Sequence, residues 1–144
     1  MMKIEFKTLA TVAGLLFLSL AMVWLAAPTL LLSGWGVEFG EGIGLMGRRT
    51  AALYAGFGVM FLLSRSAGPS TARSALVRGL LVACLMLAAL GLYELWCGHV
   101  TNKILVAVAI EIAFASACVL VNDDVGKSAP RAASITPIKK RRSK

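Results

Sequence analysis

Residues 8–32 read TLATVAGLLFLSLAMVWLAAPTLLL, an apolar stretch without a charged residue that follows Lys3 and Lys7. A helix needs about 20 apolar residues to cross the hydrocarbon core of a membrane, and this stretch exceeds that length. A cleaved signal peptide is the alternative, but its apolar core would be shorter, and Pro28 directly after Ala27 disfavours cleavage there. We therefore predict that residues 8–32 form a retained first membrane span.

Three more apolar stretches follow, at about 48–63, 76–96 and 104–121. With 58% hydrophobic residues and a mean hydropathy of +0.81, the 144-residue chain has more apolar surface than a soluble domain of its size could bury. The stretches lack the alternation of apolar and polar residues that marks barrel strands, so helices are expected. The sequence predicts an all-α, polytopic membrane protein, in which residues 1–121 form an antiparallel bundle of four transmembrane helices.

The basic residues lie mainly on one side of this predicted bundle. Twelve of the fifteen precede the first span, surround the second connection or follow Val121, whereas Arg48, Arg49 and Lys103 lie on the opposite side. Lys and Arg residues are retained on the cytoplasmic side of a membrane. We therefore expect both termini in the cytoplasm and a multi-pass protein of the inner, cytoplasmic membrane.

The inner connection, residues 64–74, reads SRSAGPSTARS. Gly68 and Pro69 are expected to end one helix, because proline cannot continue a helix. Ser70 or Thr71 is expected to cap the next helix, because a hydroxyl oxygen accepts a hydrogen bond from a free backbone N–H group.

The outer connections are a tight turn, CGHVTNK at 97–103, and a glycine-rich segment at 33–47. Within the second, residues 42–47 (GIGLMG) fit the GxGxxG pattern of dinucleotide-binding loops. Such a loop requires a preceding strand in a parallel α/β unit, and a segment between two membrane spans has none. We expect a flexible or re-entrant loop without a nucleotide.

Residues 122–144 have few apolar side chains, two prolines and a net positive charge, which predicts a disordered, basic cytoplasmic tail. Its last residues could contact anionic lipid, or they could be solvated charges that only help to fix the topology. Nucleic acid is not an expected partner, because the tail has neither a folded basic surface nor interleaved aromatic residues. The predicted lipid-contacting residues are Lys139, Lys140, Arg141, Arg142 and Lys144.

Two arginines and two glutamates at or inside the spans are candidates for function, because a charge at the bilayer centre costs about 3 kcal/mol on insertion scales. Arg48 shares a helix face with Ala52 and Gly56, and these small residues predict that the face points into the bundle. Arg49 lies on a bulkier apolar face, so we expect its side chain to reach the lipid headgroups.

Glu111 is the deepest of the four, roughly 10 Å along its helix from Ile104 at 1.5 Å per residue. Ala107 and Ala115 lie one turn to either side, which predicts that Glu111 faces inward. Glu94, near the outer end of the third span, has a weaker form of this pattern.

We therefore expect Arg48, Glu94 and Glu111 to converge in the outer half of the bundle. Tyr54, Tyr93 and His99 are secondary candidates in the same region. Two interpretations remain open: an ion pair that clasps the helices together, or a site for a small ligand, an ion or a proton.

The three cysteines, Cys84, Cys97 and Cys118, form no CxxC pair and are expected to be small apolar core residues. His99 has only Cys97 near it in sequence, so we expect no metal site. The chain has no serine elbow, phosphate-binding loop or zinc-binding helix motif. We therefore expect neither a cofactor nor an enzymatic activity.

Three segments carry a resemblance to known proteins: GRRTAALYAGFGVMFL at 47–62, LGLYELWCGH at 90–99 and ILVAVAIEI at 104–112. In these segments the chain resembles the small four-helix bacterial membrane proteins of the DoxX-like families. The resemblance implies a four-helix bundle with arginine and glutamate directed inward. It supplies no reaction, and the chain lacks the paired cysteines expected of a disulfide redox partner.

These features favour a non-catalytic protein that is an accessory or interaction partner in a membrane assembly, as a homo-oligomer or with another membrane protein. The alternative is a small-solute or proton-coupled transporter that uses Arg48 and Glu111. A membrane redox subunit is the third hypothesis. A transporter needs polar residues through the full depth of the membrane, and beyond Glu111 the spans offer little besides Ser64 and Ser116.

Overall fold

The part of the chain that the structure describes consists of helices and the short connections between them. The computed structural model describes residues 5–128, with the surroundings of the side chains in residues 5–121, and this part contains five helices and no strand. The helices are α1 (Phe6–Ala26), α2 (Pro28–Trp35), α3 (Glu41–Ser64), α4 (Thr71–Trp96) and α5 (Ile104–Ser128). The predicted all-α class is confirmed.

Within residues 5–128, three helices are long and apolar enough to cross a membrane: α1, α4 and α5. The chain is therefore a helical membrane protein. Helix α3 is also long, but Arg48, Arg49 and its glycines reduce its apolar content.

The predicted first span, 8–32, is interrupted. Helix α1 ends at Ala26, where the Ala27 N–H donates to the Val23 carbonyl at 2.8 Å. Ala27 has φ −150° and ψ 61°, outside the helical region, because the ring of Pro28 crowds the backbone of the residue before it. Pro28 then begins α2, where its missing N–H costs no helical hydrogen bond.

The glycine-rich segment before Arg48 is not the flexible or re-entrant loop that its composition predicts. Helix α3 begins at Glu41 and includes residues 42–47. Gly44 and Gly47 are buried, and a Cβ atom on Gly47 would lie 2.7 Å from the ring of Trp24. Here the absence of a side chain serves helix packing, which outweighs the low intrinsic helix propensity of glycine.

Helices α1 and α3 cross with their backbones in close contact. A Cβ atom on Gly14 would lie 3.0 Å from the Gly58 carbonyl oxygen and 2.7 Å from Leu62, and a Cβ atom on Gly58 would meet the Gly14 carbonyl oxygen and Leu18 at the same distances. The contact is thus reciprocal. Small residues at a crossing let two membrane helices pack closely, which replaces the hydrophobic driving force that lipid cannot supply.

Helices α4 and α5 form the second closely packed pair, as the short connection at 97–103 predicts. The Ser70 hydroxyl caps α4 by accepting from the Arg73 N–H at 3.2 Å, which confirms one of the two predicted caps. Gly91 in α4 contacts α5, where an added Cβ atom would lie 2.9 Å from the side chain of Val108.

A single apolar cluster joins the two pairs at the end of the bundle that holds Phe6 and Val121, hereafter the Phe6 end. Cys84 and Cys118 belong to it and are buried, as predicted for small core residues. Cys97 is exposed, and its assignment to the core is wrong because it lies just beyond the last residue of α4.

Helix α5 continues past the predicted end of the span at Val121 and ends at Ser128. Residues 129–144 lie outside the described part of the chain. The lipid contacts predicted for the last basic residues, from Lys139 to Lys144, lie there too.

Gly58→Ile should lower the free energy of unfolding by about 1–3 kcal/mol, because the new side chain separates the backbones of α1 and α3. Gly56→Ile is the matched control: Gly56 is in the same helix, is exposed and has no atom within 4 Å of an added Cβ. Unfolding of both variants in detergent micelles, followed by circular dichroism, measures the difference. Equal effects at the two positions would contradict the reciprocal contact.

Candidate site around Glu111

A cavity of about 260 Å³ lies between the helices at the end of the bundle opposite the Phe6 end. We call it the Glu111 cavity, and its end of the molecule the Trp35 end. The last residue of α2, helices α3, α4 and α5, and the connection before α5 all contribute to its wall. The lining residues are Trp35, Tyr54, Leu87, Leu90, Gly91, Glu94, Val100, Ile104, Ala107, Val108 and Glu111.

Glu111 is the cavity residue whose position is chemically most demanding. It is half-buried in α5, and its neighbours on the same face, Ala107 and Ala115, are half-buried and buried. The face is therefore directed into the bundle, as the spacing of small residues predicts. Its Oε2 atom is buried and has no hydrogen-bond partner in the described part of the chain. Leaving a buried polar atom without a partner costs free energy, so this oxygen is poised for a ligand or a proton.

Glu94, the second carboxylate of the cavity, already has a partner. Its Oε2 lies 2.7 Å from Nδ1 of His99; the His99 side chain is exposed and that of Glu94 is partly exposed. An exposed pair of this kind contributes little to stability, because water competes for both groups. The pair does bring the predicted residues Glu94 and His99 together, and it leaves Glu111 as the carboxylate without a partner.

Tyr54 and Trp35 form the aromatic part of the wall. The ring of Tyr54, half-buried in α3, stacks on Phe17 of α1 with centroids 5.8 Å apart. The ring of Trp35 lies 6.5 Å from that of Trp24, at an angle of 56°. Both cavity aromatics are thus braced against α1.

Trp35 is held in place by hydrogen bonds to a distant part of the chain. The Thr101 N–H donates to the Trp35 carbonyl at 2.9 Å, and the Thr101 hydroxyl donates to the Gly34 carbonyl at 3.0 Å. Gly36 ends α2 at φ +77°, a left-handed conformation that glycine adopts without strain. Sequence reasoning did not find Trp35 or Thr101 as site residues, because nothing local pairs two segments so far apart. The one local pattern near Trp35 is Gly36 directly after an apolar helical stretch, which is typical of a helix end.

Arg48 does not line the cavity. It is exposed, together with Ala52 and Gly56, so the prediction that this face points into the bundle is wrong. Among residues 5–121, no ion pair within 4 Å joins Arg48 to either glutamate. The reason is that another face of α3, with Gly47, Ala51 and Gly58, has still smaller side chains and packs on α1. Electrostatic coupling of Arg48 to Glu111 stays a prediction.

The remaining candidates lie outside the cavity. Tyr93 is exposed, and Arg49 is exposed with the rest of its apolar face, as expected for a side chain that reaches the headgroups. Within the described residues, no group of three or more His, Cys, Asp or Glu side chains is arranged to hold a metal ion.

No family model, curated protein or solved structure matches the chain. The chemistry of the site is therefore inferred from its own side chains. They are one partnerless carboxyl group, one carboxylate paired with an imidazole, a phenol, an indole and an apolar wall. Such a set can hold a proton or a positive charge.

Gly36→Ala should lower the free energy of unfolding by about 1–2 kcal/mol, because it places a Cβ atom in a left-handed conformation. The new atom would also meet Thr101 Cγ2 at 2.7 Å. Gly34→Ala is the control, because its Cβ would have no neighbour within 4 Å and it lies within α2. Thermal unfolding gives the stability, and tryptophan fluorescence reports whether Trp35 becomes more solvated. Identical behaviour of the two variants would show that the contact of Gly36 with Thr101 contributes nothing to stability.

Proposed function

We propose that this protein is a non-catalytic, four-span protein of the inner membrane that binds a proton or a small positively charged ligand at Glu111. One observation carries the proposal: the buried, partnerless Oε2 of Glu111 faces a cavity of about 260 Å³. Of the two interpretations of the charged residues, the proposal adopts the site for a small ligand, an ion or a proton. It includes no transport across the membrane.

Burying an ionised carboxylate away from water costs free energy. A carboxyl group among apolar side chains must either keep its proton or, once ionised, meet a positive charge, since desolvation of the charge without compensation is too costly. The neighbours Leu87, Leu90 and Val108 are apolar and supply neither. The compensation must therefore come from solution, through the cavity.

The rest of the wall suits an organic cation. Trp35 and Tyr54 offer aromatic faces, which attract ammonium groups through the negative charge of the ring face. At about 30 Å³ per water molecule, the cavity has room for roughly eight waters, or for a small alkylammonium ion. Glu94, which also lines the cavity and is paired with His99, adds a second carboxylate that attracts the same kind of ligand.

Binding is favoured over transport because the region beyond the cavity is closed. The cluster around Phe61, Cys84 and Cys118 joins α3, α4 and α5 at the Phe6 end, and all three residues are buried. A carrier would have to open this packed core. A protein that only senses or presents a ligand in a membrane assembly has no need to do so.

The topology belongs to the proposal as well. Helix α3 has 24 residues, or about 36 Å at 1.5 Å per residue, which is enough to cross a bilayer. It packs antiparallel to α1, and Arg48 and Arg49 lie near one of its ends, where long side chains can reach the headgroups. A fourth span at α3 puts both termini on the cytoplasmic side, in agreement with the distribution of basic residues.

Glu38 and Ser66 should be labelled from opposite sides of the membrane, because α3 separates them. Each position is changed to cysteine after Cys84, Cys97 and Cys118 have been replaced by serine or alanine. An impermeant maleimide should modify the position 38 thiol in intact cells, and the position 66 thiol only after permeabilisation. Labelling of both positions from one side would mean that α3 does not span the membrane.

An accessory role in an assembly, the leading hypothesis of the sequence analysis, has its own supporting observation. Arg48, Ala52 and Gly56 form an exposed face of α3 at the level of the candidate spans. A charge and small side chains on an exposed membrane face suit contact with another helix better than contact with lipid. Membership of the DoxX-like families, which would fit such a role, stays a prediction.

Glu111→Gln should abolish binding at the cavity, because the amide keeps the shape of the side chain but carries no charge. The purified protein is titrated with methylammonium and tetramethylammonium ions, and binding is followed by thermal unfolding and by tryptophan fluorescence. A ligand at about 100 times its Kd stabilises the folded state by about 2.7 kcal/mol, so a rise in Tm is measurable. Glu38→Gln is the control, since Glu38 is exposed and does not line the cavity.

A proton as the only ligand gives a different signature. In that case the infrared spectrum should contain the band of a protonated, buried carboxyl group that Glu111→Gln removes and Glu38→Gln keeps. If the wild-type protein shows neither ammonium binding nor this band, the proposed function is wrong.

A further inference from the structure

A second cavity, of about 480 Å³, lies at the Phe6 end of the bundle. We call it the Arg73 cavity. It is formed where α1 begins and where the connection between α3 and α4 meets the first turn of α4. Its wall consists of Glu5, Phe6, Lys7, Arg65, Ser66, Ala67 and Arg73.

Arg73 is the fixed element of this cavity. The central carbon of its guanidinium group lies 4.3 Å from the centroid of the Phe6 ring, and Phe6 itself is buried. A cation over an aromatic face is held there by electrostatic attraction. The backbone at Arg73 is also held, because its N–H donates to the Ser70 hydroxyl. The planar group is therefore oriented before any ligand arrives.

Among residues 5–121, the basic side chains of the cavity outnumber the acidic ones and form no ion pair with them. Lys7, Arg65 and Arg73 face a single acidic residue, Glu5, and no ion pair within 4 Å joins Glu5 to any of them in the described part of the chain. The Arg73 Nε is buried and has no hydrogen-bond partner among the described residues. Two observations thus agree: a surplus of basic side chains and a buried donor without a partner among the described residues both favour an anion that offers acceptor oxygens.

The location indicates where such an anion comes from. The cavity lies at the ends of α1 and α4, two helices that can cross a membrane, and so at the level of the lipid headgroups. Leu63, in the last turn of α3 and two residues before Arg65 in the sequence, is 80% exposed and offers apolar surface at the same end of the bundle. A phospholipid combines both features, because its phosphate is joined to an acyl chain.

We propose that the Arg73 cavity binds the phosphate headgroup of an anionic phospholipid. Arg73 supplies a planar, preoriented set of donors, which suits phosphate oxygens. Lys7 and Arg65, both exposed at the rim, supply the charge that distinguishes an anionic headgroup from a zwitterionic one. An acyl chain of the lipid lies along Leu63. The site is separate from the Glu111 cavity.

The test compares lipid binding to the full-length protein by native mass spectrometry from detergent micelles. Phosphatidylglycerol and phosphatidylcholine are offered together at equal concentration. The test variant is Lys7→Gln with Arg65→Gln, because both side chains are exposed and Arg73 keeps its contact with Phe6. The matched control is Arg49→Gln with Arg78→Gln, which removes the same charge from exposed residues outside the cavity. The tail is unchanged in both, so its own lipid contacts cancel.

The wild-type protein and the control should retain phosphatidylglycerol in preference to phosphatidylcholine. The cavity variant should lose about tenfold in affinity for phosphatidylglycerol and keep its affinity for phosphatidylcholine. An equal loss in both double variants would overturn the proposal, because general surface charge would then explain the binding. Circular dichroism shows whether each variant folds. If the double variant does not fold, a single Lys7→Gln variant replaces it, and its loss of affinity for phosphatidylglycerol should be smaller.

A free phosphate is the other source of the same chemistry. Inorganic phosphate and glycerol 3-phosphate are therefore added at millimolar concentration as competitors. Retention of phosphatidylglycerol in their presence supports a lipid site. Displacement of the lipid at these concentrations, or stabilisation of the protein by phosphate alone, would assign the cavity to a soluble anion and reject the lipid.

Discussion

The close contact between Gly14 of α1 and Gly58 of α3 determines how the rest of the bundle is arranged. Where two backbones touch, the rotation of each helix about its axis is fixed. With Gly58 against α1, Gly47 meets Trp24, and Tyr54 stacks on Phe17. Tyr54 therefore reaches the Glu111 cavity because of a glycine contact one turn away from it. The same rotation carries Arg48 outward, since successive residues of a helix differ by about 100°.

The two ends of the bundle differ in packing and in charge. At the Phe6 end, apolar side chains from four helices interlock, and the cavity at that surface is basic. At the Trp35 end the helices leave an opening, and the side chains that line it include two carboxylates. The basic cavity and the cavity with carboxylates therefore lie at opposite ends of the bundle, with the packed core between them.

Sequence patterns predicted the elements well where a single residue has a strong local effect. Ser70 caps α4, and the apolar runs form helices. Cys84 and Cys118 are buried, as expected of small apolar residues. The sequence did not indicate the break before Pro28 or the helical state of residues 42–47. The apolar residues on both sides of Pro28 look like one continuous span, although proline is also favoured at the first position of a new helix. Glycine at a helix crossing looks like a loop signal until the packing partner is known.

The candidate site was predicted in part, for a comparable reason. The face around Glu111 was recognised because α5 has one alternation of small and polar residues. Helix α3 has two competing stripes of small residues, one with Arg48 and Gly56 and one with Gly47 and Gly58, and only the packing against α1 decides between them. Trp35 entered the site through hydrogen bonds from Thr101, one of which joins residues 67 positions apart in the sequence. Tertiary contacts of this length leave no local pattern to read.

The free energy of inserting and packing α5 explains why Glu111 is a candidate for function rather than for stability. Among the helices of residues 5–128 that can cross a membrane, α5 has the most apolar span, so it can insert despite one carboxyl group. Its packing against α4 includes the close contact between Gly91 and Val108, one turn away from Glu111, and no ion pair of Glu111 joins the two helices within residues 5–121. No hydrogen bond within residues 5–121 repays the burial of Oε2. Folding alone would therefore be served as well by an apolar side chain, and this is why the function proposed above assigns the carboxyl group to binding.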